Sequence, residues 1–272
     1  MIFVRDKGRL CNNILQYGHL YAWGREHGRS TMSMRFAYKY RYFRICHTRY
    51  HNFLTYVFAK YAAKCHLLPV ADFGIDAPND PERQQQLLLT HRHIVAEGWY
   101  ARFYDLFLKY KSEILGLFQF DSFVREEPDR LLATLPPTGL RLGLHIRRGD
   151  YRTWHGGRYY YTDEQYIGIV RQFLQLHQDL EVQLIVCGND PELDEQAFRR
   201  AFPQTRIVFP KGTPGEDLYL LSRCDRLIGA PSTFTLVAAM YHDLPLYWIE
   251  DPSAEPTDAA FGRFDQLFQQ IK

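Results

Sequence analysis

Apolar residues in the second half of the chain follow two alternating patterns. Short runs rich in Leu, Ile and Val occupy 140–144, 184–187, 205–209, 226–229 and 245–249. Between them, apolar residues recur every three or four positions over 162–177, 191–202, 215–224 and 232–241. The runs predict short buried strands and the intervening segments predict helices. This alternation is typical of right-handed βαβ units, so an α/β domain with a parallel sheet is expected.

The first half is less regular. Apolar positions predict a helix over 10–27, a strand at 92–96 and a helix over 99–117, whereas 35–65 is either helical or irregular and crowded with Tyr and Phe. Residues 76–81 contain two prolines and predict a loop.

A Pro-Pro-Thr-Gly segment at 136–139 marks a domain boundary. We therefore predict an N-terminal lobe over 1–138 and a Rossmann-like C-terminal lobe over 139–256. The tail has apolar residues at helical spacing, which predicts a helix within 257–272 that could pack back onto the first lobe.

Composition excludes several classes of protein. The 272 residues carry 33 basic and 31 acidic side chains, a net charge of +2, which gives no polyelectrolyte signal for nucleic acid. The five cysteines are scattered and favour reduced thiols over a disulfide framework or a zinc site. No secretory segment begins the sequence, and no apolar run reaches the ~20 residues of a membrane span. A cytoplasmic location, with contact at the inner membrane face as an option, is expected.

The segment His-Ile-Arg-Arg-Gly-Asp-Tyr at 145–151 follows the first predicted strand of the C-terminal lobe. Arg147 and Arg148 would repel each other at a strand end unless an anion lies near them, and guanidinium groups suit phosphate oxygens. Ligands of open α/β sheets bind at the carboxyl ends of strands. The alternative is a surface ion-pair cluster with Asp150.

Two further strand ends carry polar residues. Asp190 follows the strand at 184–187, where it either caps the next helix or accepts two hydrogen bonds from a guanine ring, which would select GDP. Ser232 and Thr233 open the helix after the strand at 226–229, as caps or as phosphate ligands. At the N-terminus, the amides near Asn12 and Asn13 open a helix that could contact the same ligand.

These segments, in this order, resemble the GDP-fucose-dependent bacterial α-1,2-fucosyltransferases, which are related more distantly to α-1,6- and protein O-fucosyltransferases. The match comprises H-x-R-R-G-D-Y at 145–151, D-x-Y-L-M-S-x-C at 217–224, S-S-F-S-W-W-A-A at 232–239 and N-Q-L-F-Q-Y at 12–17. The chain departs from the pattern where it has Arg9 and Cys11 in place of glycines, Asn13 in place of a glutamine, and Leu236 and Val237 in place of the tryptophan pair. These departures could change how the N-terminal loop approaches the donor, the packing, or the choice of acceptor.

The resemblance implies a GT-B-like α/β architecture, with two Rossmann-like lobes facing a cleft and the donor held mainly by the C-terminal lobe. It implies an inverting glycosyltransferase that moves L-fucose from GDP-fucose to a galactose-terminated glycan of a bacterial surface polysaccharide. Another linkage or acceptor, or a GDP-sugar-binding homologue without catalysis, are the alternatives. A phosphate-binding α/β protein of unrelated function would require the ordered motifs to be coincidence.

The resemblance also implies roles for individual residues. Arg148 is expected to neutralise the departing diphosphate, and His145 and Asp150 are catalytic candidates, although neither is singled out as the general base; Glu97 is a third candidate. The expected donor-binding residues are Arg147, Gly149, Asn12, Asn13, Asp190, Ser232, Thr233 and Phe234. The sequence has no D-x-D pair, so activity without a metal or other cofactor is expected.

A basic and aromatic stretch runs from Arg35 to Tyr50 without an acidic residue. It is either a surface that touches an anionic membrane or glycolipid, or a solvated face over an aromatic core.

Overall fold

The computed structural model describes residues 1–74, 80–188 and 190–271. Most of the loop predicted at 76–81 therefore lies outside the described residues. The chain divides into two compact units, Met1–Asp121 and Ser122–Lys272. In the part of the chain that the structure describes, no helix is long and apolar enough to cross a membrane.

The first unit contains a parallel sheet whose four described strands lie in the order β2-β1-β4-β3. The strands are Ile2–Arg5 (β1), Thr31–Ser33 (β2), Val70–Asp72 (β3) and Ile94–Glu97 (β4). The helices are Leu10–Glu26 (α1), Phe36–Lys39 (α2), Phe53–Lys64 (α3), Pro81–Thr90 (α4), Tyr104–Lys109 (α5) and Lys111–Leu117 (α6). The prediction of α1 and β4 is confirmed, whereas the single helix predicted over 99–117 is wrong, because two short helices meet at Tyr110.

Aromatic rings fill the core beside α1. The ring centroids of Tyr40 and Phe118 lie 5.0 Å apart and those of Phe43 and Phe118 5.5 Å apart, both edge to face. Tyr40 and Phe43 are fully buried, whereas Arg41 and Arg44 are exposed. The basic stretch at 35–50 therefore includes a solvated face over an aromatic core.

The second unit contains a parallel sheet with five described strands in the order β7-β6-β5-β8-β9. The strands are Leu140–Ile146 (β5), Val182–Gly188 (β6), Arg206–Val208 (β7), Arg226–Gly229 (β8) and Leu246–Trp248 (β9). The helices are Ser122–Ala133 (α7), Asp163–Leu176 (α8), Glu195–Ala201 (α9), Pro214–Ser222 (α10), Thr233–Met240 (α11) and Phe264–Phe268 (α12). All five strands predicted in this half of the chain are present, so the predicted parallel sheet is confirmed.

The division between the units differs from the boundary predicted at residue 138. Helix α7 belongs to the second unit, where Val124 and Leu132 are buried and the Tyr219 hydroxyl donates a hydrogen bond of 2.7 Å to Asp129. The tail also belongs there, because Gly262 and Leu246 exchange backbone hydrogen bonds and α12 packs against α11. The helix predicted within 257–272 is present but short, and it belongs to the second unit.

The two faces of β5 pack against different helices. Leu142, Leu144 and Ile146 join the core that includes α8, while Gly143 and His145 lie on the opposite face. A Cβ at Gly143 would lie 2.6–2.9 Å from side-chain atoms of Leu227, Cys224 and Leu221, so the absent side chain lets α10 approach the strand closely. This face of the sheet ends at the residues of the candidate site.

Candidate functional site

His145 ends the apolar part of β5 as a buried, neutral imidazole. Its ring stacks on Phe234 of α11, with centroids 4.7 Å apart and an interplanar angle of 17°. Burial, reinforced by the charge of Arg147, lowers the pKa of His145 to about 3. Its Nδ1 atom is buried and has no hydrogen-bond partner. An imidazole with so low a pKa is a weak base and is poorly suited to take a proton from the hydroxyl group of a sugar acceptor. Its unpartnered nitrogen is instead suited to a hydrogen bond with a ligand.

Arg147 is held by Asp150 and Tyr151. One guanidinium nitrogen lies 2.8 and 2.9 Å from the two carboxylate oxygens of Asp150, and the guanidinium carbon lies 5.2 Å from the Tyr151 ring centroid. The Tyr151 hydroxyl donates to the carbonyl of Pro231 at 2.6 Å, which ties this segment to the turn before α11. Gly149 makes the bend between them with a φ of +71°, a conformation that favours glycine.

Arg148 has a different environment. Its Nε donates to the carbonyl of Tyr161 at 2.9 Å, and its terminal nitrogens donate to Asp190 at 2.8 Å and to Asp163 at 2.5 Å. All three charged side chains are nearly buried. Two carboxylates more than cancel the guanidinium charge, so this cluster would repel a diphosphate rather than neutralise it. The geometry does not favour the predicted role of Arg148 at the leaving group.

Asp190 is committed to that cluster. Burial works to raise its pKa, but the hydrogen bonds from Arg148 and from the Glu192 N–H, together with the charges of Arg148 and Arg152, outweigh that effect and leave the pKa below its usual range. Its second oxygen accepts the backbone N–H of Glu192 at 3.0 Å, and α9 begins only after Asp194, whose side chain caps it. Asp190 therefore neither caps that helix, as one prediction held, nor presents a free carboxylate to a guanine ring.

Asp217 has a half-buried carboxyl group and was not among the site residues predicted from the sequence. It lies in the first turns of α10, one Oδ atom is buried without a hydrogen-bond partner, and burial, with repulsion from Glu216, raises its pKa to about 7. Burial, with a smaller contribution from the charge of Asp217, raises the pKa of the Cys187 thiol, and Cys187 is the β6 neighbour of His145 on the same face of the sheet. Asp217 stands in the D-x-Y-L-M-S-x-C resemblance, which was the available signal.

The N-terminus of α11 completes this edge. Ser232 caps the helix by accepting the N–H of Thr235 at 3.3 Å, and Thr235 in turn accepts the indole N–H of Trp248 at 3.1 Å. Ser232 is buried, whereas Thr233 and Phe234 are half-buried. The capping role weighed for Ser232 is confirmed. Leu236 and Val237, which replace the tryptophan pair, are fully buried in α11 and act in packing.

The loop between β1 and α1 is held by two buried amide side chains. The Asn13 Nδ2 donates to the carbonyls of Gly8 and Arg9 at 3.1 and 2.7 Å, and the Gln16 side chain accepts from and donates to the backbone of Lys7. Asn13 is fully buried, so its side chain holds this loop, while Asn12 is half-buried. Arg9 caps α1 in an extended conformation with a φ of −86°, so the glycine it replaces is not required for this backbone shape.

The structure thus brings most predicted residues to one edge of the second sheet. His145 lies near the carboxyl end of β5. The others follow the carboxyl ends of β5, β6 or β8, namely Arg147, Arg148, Gly149, Asp150, Asp190, Ser232, Thr233 and Phe234. Asn12 and Asn13 follow β1 in the first unit. Glu97, at the end of β4, accepts a hydrogen bond of 3.0 Å from Arg5.

Known proteins with similar sequences are galactoside fucosyltransferases. The chain is 24% identical over 250 residues to galactoside alpha-(1,2)-fucosyltransferase 2 of Bos taurus, a match that covers 85% of this chain and 66% of that protein. It is 26% identical over 204 residues to galactoside alpha-(1,2)-fucosyltransferase 1 of Rattus norvegicus, covering 63% of this chain and 50% of that protein. The chain therefore spans less than two thirds of the length of these distant relatives. No protein-family model matches it.

Solved structures with a similar fold are also fucosyltransferases. A point mutant of Arabidopsis thaliana FUT1 in complex with GDP has a TM-score of 0.67 at 13% identity and covers 96% of this chain and 73% of its own. NodZ alpha-1,6-fucosyltransferase soaked with GDP-fucose has a TM-score of 0.58 at 16% identity and covers 93% of this chain and 97% of its own. POFUT1 in complex with GDP-fucose has a TM-score of 0.53 at 11% identity, with coverages of 89% and 93%. The chain has the α/β fold with parallel sheets of these GT-B-like structures, and the predicted fold class is confirmed.

Proposed function

We propose that this protein is a glycosyltransferase that takes L-fucose from GDP-fucose. The observation that carries this proposal is the edge of the second sheet, where a buried imidazole, a partly available arginine and the N-termini of α10 and α11 lie together. The similarity to galactoside α-1,2-fucosyltransferases in sequence, and to fucosyltransferases solved with GDP or GDP-fucose in fold, supports the same reaction.

The guanine ring is proposed to contact Asp217 rather than Asp190. An ionised carboxylate can accept hydrogen bonds from both the ring N–H and the exocyclic amino group of guanine, a pair that adenine and uracil lack. Asp217 has an unpartnered buried oxygen, whereas both oxygens of Asp190 are occupied. The unpartnered Nδ1 of His145, on the same face of the sheet, supplies a further contact for the base.

Arg147 is the proposed ligand of the diphosphate. Its partner Asp150 is nearly half exposed and can turn toward water when a phosphate takes its place. The N–H groups that open α11 add donors for the same group, with Thr233 and Phe234 beside them. Preorganised donors aimed at charge that develops on a leaving group are worth roughly 3–4 kcal/mol each. Arg148 then acts as a positioning residue that fixes the strand ends through Asp163 and Asp190.

The finer features of the reaction are proposed from the resemblance. They are inversion at the anomeric carbon, α-1,2 linkage to a galactose-terminated glycan, and a place in bacterial surface polysaccharide synthesis. The galactoside names of the distant relatives support the linkage and the acceptor. Inversion and the bacterial role rest on the family resemblance of the H-x-R-R-G-D-Y segment. Activity without a metal or other cofactor is proposed because an arginine and a helix N-terminus supply the charge that a D-x-D-bound ion supplies elsewhere.

The first test is calorimetric binding of GDP, UDP and ADP, each with and without EDTA. Selective binding of GDP that is insensitive to EDTA and fails in Asp217→Ala is the expected result, with Asp190→Asn as the comparison variant. Binding of UDP, or of none of the three, would show that the proposed donor is wrong. Loss of GDP binding in EDTA that Mg²⁺ restores would overturn metal independence.

The second test is transfer. The protein is incubated with GDP-fucose and galactosides, and the product linkage is determined by methylation analysis or NMR. A fucose at the galactose 2-hydroxyl is expected. A different linkage would retain the fucosyltransferase and replace the acceptor position. Donor binding without transfer across a broad panel of acceptors would instead support a GDP-sugar-binding protein that does not catalyse.

A further inference from the structure

Large apolar side chains are concentrated on one exposed surface of the first unit. Among the described residues, six exposed large apolar side chains lie between positions 53 and 70, on α3 and the segment that leads into β3. They are Phe53, Leu54, Phe58, Tyr61, Leu67 and Val70. Phe53 is 73% exposed and Leu54 is 79% exposed, values that are unusual for such side chains in a folded domain. We call this set the α3 surface.

Helical geometry explains why these residues form one surface. Leu54, Phe58 and Tyr61 are spaced by four and three positions, so they lie along one stripe of α3. Ala59, which is buried, lies well away from this stripe, and the buried Ala62 lies at its border, next to Phe58; these two alanines attach the helix to the unit. Phe58 also packs against the buried ring of Phe3, with centroids 6.0 Å apart, whereas Leu54 is 79% exposed and contributes little to anchoring the helix.

Basic side chains flank the stripe. Lys60 and Lys64 are exposed on α3 beside the apolar residues. Arg49, just before the helix, is also exposed. The sequence has no acidic residue between Glu26 and Asp72. The α3 surface thus combines exposed apolar and aromatic groups with uncompensated positive charge.

We propose that the α3 surface binds an anionic lipid bilayer from one side. A helix with apolar and aromatic residues on one stripe and lysines at its border is the arrangement that settles at the boundary between headgroups and acyl chains. Negatively charged headgroups complement Lys60, Lys64 and Arg49, and the attraction acts within a Debye length of the surface. The donor chemistry proposed above plays no part in this inference.

A second copy of the chain fits this surface less well. A two-fold interface brings the same patch of each copy together, which would place Lys60 and Lys64 close to the same residues of the other copy. Like charges at short range oppose such an association at moderate ionic strength. An anionic bilayer avoids this repulsion and covers the whole stripe.

Vesicle co-sedimentation of the full chain tests the proposal. Vesicles of phosphatidylcholine with about 30% phosphatidylglycerol, which have a strongly negative surface, are compared with pure phosphatidylcholine vesicles. Both are measured at low and at moderate salt. We expect at least about tenfold tighter binding to the anionic vesicles. The double variant Phe53→Gln with Leu54→Gln should lose about tenfold, because both side chains are almost fully exposed and their loss removes apolar insertion without unfolding the helix.

Two controls separate charge and apolar contributions. Lys60→Glu with Lys64→Glu should abolish binding to anionic vesicles, whereas Arg125→Glu with Lys211→Glu, an equal change of charge in the second unit, should leave it intact. Phe123→Gln, an exposed aromatic residue of α7, is the matched apolar control. Circular dichroism melting curves confirm that each variant folds.

Three results would overturn the proposal. The first is equal or absent binding to both kinds of vesicle. The second is a loss of binding in the glutamate variant with no effect of the glutamines, which would make the surface a general polyanion site. The third is a concentration-dependent dimer that the glutamines disrupt while vesicles do not bind, which would make a second copy the occupant.

Discussion

At the scale of single residues, the proposed contact between Asp217 and guanine would make nucleotide binding depend on pH. Its pKa is raised to about 7 by burial, whereas an unfolded aspartate titrates near its ordinary value of 3.8. The folded protein therefore holds an extra proton between these values, and this carboxyl destabilises the fold increasingly as pH rises from 3.8 toward 7. A guanine that donates two hydrogen bonds requires the ionised form, so GDP binding must release that proton below pH 7.

We predict that GDP affinity increases as the pH is raised toward 7, by up to about tenfold per pH unit, and levels off above pH 7. Calorimetry in buffers of different ionisation enthalpy measures both the affinity and the proton release. Because the terminal phosphate of GDP also titrates, Asp217→Asn is the control: it should bind GDP more weakly and lose the part of the pH dependence that belongs to the protein. An unchanged pH profile in Asp217→Asn would assign proton release elsewhere.

The adjacent arginines should differ in what their loss does. Arg148→Ala leaves Asp163 and Asp190 nearly buried without their cation, and breaking such a pair costs about 3–5 kcal/mol of unfolding free energy. Arg147→Ala leaves Asp150 close to solvent and should cost less than about 1 kcal/mol.

Urea unfolding and GDP titration of both alanine variants separate stability from binding. Arg147→Ala should fold normally and lose GDP affinity and turnover, and Arg147→Lys should not restore turnover because a lysine cannot fork onto two phosphate oxygens. A variant Arg148→Ala that unfolds at the wild-type urea concentration, or a fully active Arg147→Lys, would contradict this division of roles.

The position of the 145–151 motif in the sheet could be predicted from the sequence, whereas the partners of its two arginines could not. The motif at 145–151 lies at the carboxyl end of a parallel strand, as its position after an apolar run predicted. Arg148 is enclosed by two nearly buried carboxylates because Asp163 and Asp190, which are distant from each other in the chain, come together in the folded structure. A pairing of that kind leaves no periodic signal in the sequence.

At the scale of secondary-structure elements, Ser232 should contribute to stability more than to binding. Its buried hydroxyl accepts the Thr235 N–H and is thereby committed to the N-cap of α11. Removal of such a cap costs typically about 1 kcal/mol. We predict that Ser232→Ala lowers the unfolding free energy by this amount in urea denaturation and changes GDP affinity less than Thr233→Ala does.

If Ser232→Ala lowers GDP affinity more than Thr233→Ala does, the Ser232 hydroxyl would be shown to contact GDP directly. Ser232→Thr, which can retain the cap, serves as the conservative comparison and should retain most of the stability that Ser232→Ala loses.

The strands of the second unit were predictable because they are buried on both faces and read as continuous apolar runs. β1, β2 and β3 were not predicted, because they contain only three or four residues each and the segments around them are rich in aromatic and charged residues. The break at Tyr110 escaped for another reason: the apolar periodicity continues across it, and a local bend in the backbone leaves that periodicity almost unchanged.

At the scale of the whole molecule, the chain divides into its two units immediately before α7. This position matters because α7 covers α10, the helix that carries Asp217, and buries Val124, Leu132 and the Tyr219 to Asp129 hydrogen bond. The Pro-Pro-Thr-Gly segment at 136–139 is a connection inside the second unit, between α7 and β5. Proline and glycine mark a turn, and a turn within a domain has the same local composition as a linker.

Fragments of the chain test this division. A fragment of residues 122–272 should fold and bind GDP, because it holds the whole second sheet together with α7. A fragment that starts at 139, the boundary expected from the sequence, lacks α7 and leaves the outer face of α10 exposed to water. We predict that the shorter fragment unfolds at lower temperature and binds GDP more weakly, as measured by thermal denaturation and calorimetry. Equal stability and affinity in the two fragments would move the boundary back to residue 138 and make α7 dispensable to the site.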